Sequence, residues 1–176
     1  MRELLQAVSR WVRDSDVHDL VVMALSNVPG LPPIVQAVHI AAVCVVMGTI
    51  VFVNLRLLGL AVPSQDVSEM IGRLLPFTWW SLPFLVVSGG MFVFARPARY
   101  FFNPVFGIKV SLLIPALVLA LTLHLLNRMQ AGFWERSRPH LVWARLMSAV
   151  SVLLWLGVML AGRWIAYADY LFWPAS

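Results

Sequence analysis

The sequence predicts an all-α protein: an integral membrane four-helix bundle with an N-terminal amphipathic interfacial helix. Three observations predict it. Hydrophobic residues make up 61% of the 176 residues, charged residues only 12%, and the mean hydropathy is +0.84. A soluble domain of this size keeps roughly 25% charge to cover its surface. Four apolar runs, at residues 34–60, 74–95, 104–126 and 141–162, each suit the roughly 20 helical residues that span about 30 Å of hydrocarbon. The Lys and Arg residues gather at the ends of these runs, where lipid headgroups lie.

The elements follow in chain order. In residues 1–14, Leu4, Leu5, Val8, Trp11 and Val12 share one helical face. Arg2, Glu3, Arg10 and Asp14 lie mostly elsewhere, the pattern of a short helix resting in the membrane interface. This segment carries acids and lacks an apolar core with a small-residue cleavage site, so it does not read as a signal peptide. A second apolar piece, 20–25, is too short to span and leads into a loop at 27–33. The arm therefore covers 1–33 and the four-span bundle 34–176. Pro32-Pro33, Pro63, Arg96-Pro97 and Pro139 mark the junctions between runs. Trp79-Trp80, Tyr100, Trp143, Trp164, Tyr167 and Tyr170 cluster near span ends as interfacial anchors do.

Four spans put both termini on one side, with Arg2, Arg10, Arg13, Arg96, Arg99, Lys109 and Arg163. Arg56, Arg73, Arg128, Arg136, Arg138 and Arg145 share the other. With the arm set aside, the second side is richer in positive charge, so the termini are expected outside an inner (cytoplasmic) membrane. The net charge of +5 and pI near 10.4 come from these flanking residues and form no stripe. Anionic lipid headgroups, not nucleic acid, are the expected partners.

Several chemistries are excluded. One cysteine, Cys44 inside an apolar run, leaves no internal disulfide and no CxxC site. The chain has no serine-nucleophile arrangement, no phosphate-cradling glycine loop and no paired carboxylates within the runs. Met47, Met91, Met147 and Met159 are read as core packing, and because Met and His do not cluster, copper handling is disfavoured. Gly89-Gly90, Gly157 and Gly162 are expected to permit close helix packing. Pro76, Pro83 and Pro115 are expected to kink their helices.

What remains is a small set of ionisable groups inside apolar runs, each expensive to place there. His39 and Lys109 each sit five residues into parallel runs, at similar depth on the terminal side. His124 and His140 share the opposite side. His39 and His124 are separated by roughly 20 Å along the membrane normal, which forbids their ligating one iron. The depths allow two haem b sites. On the terminal side His39 is an axial ligand, Lys109, Arg96 or Arg163 binds haem carboxylates, and His18 is a second ligand if the arm folds back. On the other side His124 and His140 ligate, with Arg56, Arg128 or Arg145 near the propionates. The bland alternatives are a histidine hydrogen-bonded to a neighbouring helix, a snorkelling lysine and interfacial residues at His18 and His140.

The runs "VHIAAVCVVMGTIVFVNLRLLGL", "FFNPVFGIKVSLLIPALVLALTLHL" and "LLWLGVMLAGRWIAY", with "WVRDS" upstream, resemble an uncharacterised family of small bacterial four-helix membrane proteins. Asn54 stands where that family often has an acid, and Leu119 where Asn is common. A looser similarity links His39 and Lys109 to HemJ-type protoporphyrinogen oxidases and CopD-type membrane proteins; it implies a haem b site at His39. The expected function is that of a membrane b-type haem protein moving electrons between a quinone or redox partner protein and a second centre, as a complex subunit or homo-oligomer. The rivals are a HemJ-like porphyrinogen oxidase and a non-redox structural subunit.

Overall fold

A computed structural model describes residues 2–130, 133–135 and 137–167. Arg136 and Tyr170, counted above among the flanking charges and aromatics, lie outside the described residues. Every regular element among the described residues is helical: α1 (Arg2–Arg13), α2 (Asp16–Asn27), α3 (Leu31–Leu57), α4 (Val67–Ala95), α5 (Pro97–Phe101), α6 (Pro104–Met129) and α7 (Arg138–Trp164). Single 3₁₀ turns, Phe133–Glu135 and Ile165–Tyr167, flank α7. Four of the helices, α3, α4, α6 and α7, are long and apolar enough to cross a membrane.

Three of the long helices, α3, α4 and α7, begin earlier than the apolar runs suggest, while α6 begins at Pro104 as its run does. Pro32 and Pro33 lie inside the first turn of α3, and Pro139 inside that of α7. Proline is pre-organised for the first turn, where its missing N–H would have no helical partner. The loop expected at 27–33 is only the short link between Asn27 and Leu31, with Gly30 at φ 80°. His39 consequently lies eight residues beyond the start of α3, not five. Side chains supply the other starts. The Asp66 carboxylate accepts from the Glu69 N–H at 2.9 Å to open α4, and Asn103 accepts from the Val105 N–H at 2.9 Å to open α6.

One core joins the four long helices. Val46, Ile50, Val53 and Leu57 line α3 at helical spacing and meet Ile71 and Leu75 of α4, Ala116, Ala120 and Leu123 of α6, and Ala144 and Trp155 of α7. α3 packs chiefly on α4 and α6 on α7, while α3 against α7 and α4 against α6 complete the set. The α6/α7 seam is built from small residues. At Gly157 an added Cβ would stand 2.9 Å from Leu112 Cδ1. Gly90, by contrast, faces open space. The outer faces are apolar as well: Trp80 is 75% exposed, Val86 71% and Leu153 70%.

The arm does fold back. α1 packs on α5 and α2 on α4, and α1 buries Val12 and Ser9 while Leu4 and Trp11 stay exposed. The 20–25 piece is part of the two-segment arm as the helix α2, none of whose residues is buried.

Candidate functional site

Two long helices antiparallel to each other, α3 and α4, bring His39 to Ser88. The Ser88 hydroxyl donates to the Phe84 carbonyl of its own helix. Its oxygen is therefore left as an acceptor, and the His39 Nδ1–H donates to it at 2.8 Å. That bond places a proton on Nδ1, so in the neutral imidazole the free lone pair is on Nε2, the arrangement that a ligating histidine uses. Gly89 makes room for the ring: a Cβ there would lie 3.4 Å from His39 Cε1. Phe92, one turn further, meets the ring edge-on with centroids 6.1 Å apart.

Lys109 comes to the same end of the molecule on α6. Its Nζ and Cε pass 3.7 Å from where a Cβ on Gly162 would stand, so glycine on α7 leaves a lane for the lysine stem. Lys109 is half-buried there. Each of the four long helices thus adds a part at one level: His39, Ser88 with Gly89, Lys109 and Gly162. Asn103 ties this end together by donating from Nδ2 to the Ile165 carbonyl at 3.1 Å, joining the start of α6 to the turn after α7.

His18 reaches the same end from the arm. Its Nδ1–H donates to the Phe94 carbonyl at 2.7 Å, satisfying one of the last carbonyls of α4. Phe94 lies six residues past Ser88, about 9 Å of helical rise. As placed, His18 is a helix cap.

The arginines are more dispersed. Arg163 donates to the Tyr167 hydroxyl at 3.1 Å and lies over that ring, 5.2 Å from its centroid. Arg96 caps the junction of α4 and α5 and is exposed. On the opposite side the Arg56 Nε–H donates to the Gln65 carbonyl at 2.7 Å, and Arg145 lies beside Gly59.

His124 and His140 occupy separate settings. His124 meets Trp79 of α4 edge-on at 5.8 Å, and its Nδ1 is buried without a hydrogen-bond partner. His140 shares a hydrogen bond with Ser137 and meets Phe133 at 4.7 Å. No ring contact or hydrogen bond joins the two. Among the described residues, no three His, Cys, Asp or Glu side chains gather as a metal site. Sequence reasoning missed Ser88; the signal was a hydroxyl beside Gly89-Gly90 at the depth of His39.

A sequence model of a family of unknown function, DUF6644, matches residues 31–168. The chain belongs to this family. The DUF6644 region runs from the first residue of α3 through α7 and so contains His39, Ser88, Lys109 and Gly162 but not the arm. The resemblance to an uncharacterised family read from the sequence is thereby borne out. No curated protein and no solved structure matches this DUF6644 chain.

Proposed function

We propose that this DUF6644 protein is a multi-pass membrane protein of the bacterial inner membrane that holds one b-type haem at its terminal-side end and passes electrons to or from a lipid-soluble partner. The four long helices form the membrane bundle, and their apolar outer faces, which would be costly in water, meet lipid. α1 lies in the interface with Leu4 and Trp11 turned to the acyl region. The charge bias favours termini on the outer side.

The observation that carries the haem reading is the His39–Ser88 hydrogen bond. With its proton on Nδ1 the neutral imidazole has its lone pair on Nε2, which is the nitrogen an iron would take. The residues fit the group: His39 would hold the iron through Nε2, and Lys109 would supply a cation for a propionate. Haem b, when bound, supplies one-electron chemistry. The chain's own part is to orient His39 through Ser88, to hold a compensating charge at Lys109 and to keep water out with the apolar core. The separate settings of His124 and His140 give a second haem no comparable support. A homo-oligomer or a subunit of a larger redox complex, with a quinone or a redox protein as partner, suits this role.

A groove of about 310 Å³ between α3 and α4 favours a second reading, a HemJ-like porphyrinogen oxidase. Val35, Val38, Phe84, Val87, Ser88 and Met91 are among its walls, so it opens sideways to lipid beside Ser88. An apolar tetrapyrrole or a quinone ring could approach from there.

The test is the visible spectrum of protein from haem-replete cells, oxidised and dithionite-reduced, with pyridine haemochrome quantitation. One equivalent of haem b, lost in His39→Ala and kept in His124→Ala, supports the single-site reading. Loss in both restores two sites. A colourless wild type leaves a non-redox structural subunit.

A further inference from the structure

The hydroxyls of the long helices mostly satisfy themselves on their own backbone. Thr49 donates to the Val45 carbonyl at 2.9 Å, Ser81 to Phe77 at 2.8 Å, Ser111 to Ile108 at 2.8 Å and Thr122 to Val118 at 2.8 Å. Ser148 of α7 makes no such bond. Its side chain is 0% exposed, and its oxygen has no hydrogen-bond partner.

A second orphan lies on α3, which meets this face of α7 through Ser151. Asn54 is 1% exposed, and its Nδ2 donates to the Ile50 carbonyl at 2.8 Å and to Ser151 Oγ at 3.1 Å. Its Oδ1 is buried without a partner. Ser151 stands three residues from Ser148, on the same face of α7 and 1% exposed. Its oxygen accepts from Asn54, so its O–H is still to be placed. The α3/α7 seam thus carries one unused acceptor and two unused hydroxyl donors within one helical turn.

We propose that this seam binds a single water molecule, which donates to Asn54 Oδ1 and accepts from the Ser148 and Ser151 hydroxyls. Three hydrogen bonds are typical of a buried water, and a polar cluster is where one is retained. A monovalent cation would find oxygen ligands here too. None of the buried polar residues is a carboxylate, however, and an uncompensated charge at this depth costs far more than a neutral guest. The bridge pins α3, which carries His39, against α7, which makes the lane for Lys109.

The experiment is the apparent unfolding temperature in lipid nanodiscs of the wild type, Ser148→Ala, Asn54→Leu and the double variant, each in sodium chloride and in choline chloride. Ser148→Ala is expected to lower the midpoint by about 2–4 °C, an effect that vanishes when Asn54 is already Leu. Salt identity is expected to change nothing. A neutral or stabilising Ser148→Ala overturns the proposal, because a dry orphan hydroxyl would be better removed. Stabilisation specific to sodium and lost in Ser148→Ala also overturns it, in favour of a cation. If Ser148→Ala does not fold, electron density of the wild type decides: a peak within hydrogen-bond distance of Asn54 Oδ1 and Ser148 Oγ supports the water, and clear empty density there overturns it.

Discussion

The His39 Nδ1–H donates to Ser88 Oγ at 2.8 Å across the α3/α4 seam, while the Ser88 hydroxyl is itself committed to the Phe84 carbonyl. The relay has one direction. Backbone carbonyl holds hydroxyl, hydroxyl oxygen holds imidazole, and the imidazole presents Nε2.

Removing the relay is expected to loosen the histidine without deleting it. Ser88→Ala should weaken haem retention by about 10–100-fold, the usual cost of losing a partner behind a metal ligand. Ser88→Thr keeps the hydroxyl and should retain most of the haem. Haem titration of the apoprotein separates them. Equal affinity in all three proteins would show that Ser88 does not position His39.

Lys109 is expected to act through charge. Lys109→Met should lower haem affinity by about 1.5–3 kcal/mol, the range for a hydrogen bond to a charged group. Lys109→Arg should be intermediate, because a wider guanidinium must share the lane beside Gly162. Haem off-rates measured by transfer to an acceptor protein would order the three. A fully retentive Lys109→Met would return Lys109 to a snorkelling role.

The glycines are not equivalent. Gly157→Leu should destabilise the α6/α7 seam by about 1–3 kcal/mol through overpacking against Leu112. Gly90→Ala meets open space and should be neutral or stabilise by up to about 1 kcal/mol through helix propensity. Thermal unfolding in nanodiscs compares them. The reverse order would place Gly90 in a contact that the fold does not give it.

His18 ties the arm to the end of α4. His18→Ala removes the bond to the Phe94 carbonyl, worth about 1 kcal/mol, and should speed amide exchange in α2 while leaving α3 and α6 protected. Hydrogen exchange by mass spectrometry reads this directly. A change in the haem spectrum of that variant would instead make His18 a ligand.

Tyr100, on α5 outside the long helices, titrates high. Burial pushes its phenol above the ordinary value, and the nearby Arg99 and Arg96 only partly offset this. Folding stability tied to the neutral phenol is therefore present below pH 10 and declines as pH rises through the unfolded and then the folded value. Ultraviolet titration should show a late-ionising tyrosine that is absent from Tyr100→Phe.

The sequence alone determined the number of long helices and which residues share an end. Apolar run length against hydrocarbon thickness counts the helices, and alternation of direction puts His39 with Lys109 and apart from His124. It placed the starts of α3 and α7 too late because proline was taken for a boundary when it belongs to the first turn. Only the tertiary structure decided what faces what. Ser88 meets His39 from 49 residues away, Asn54 finds Ser151 from 97 residues away, and His18 finds the Phe94 carbonyl. The reason is physical. In a helix whose outer and inner faces are both apolar, polarity does not encode rotation about the axis. Rotation is set by small residues and side-chain shape at the seams, and these become legible only when the helices are packed.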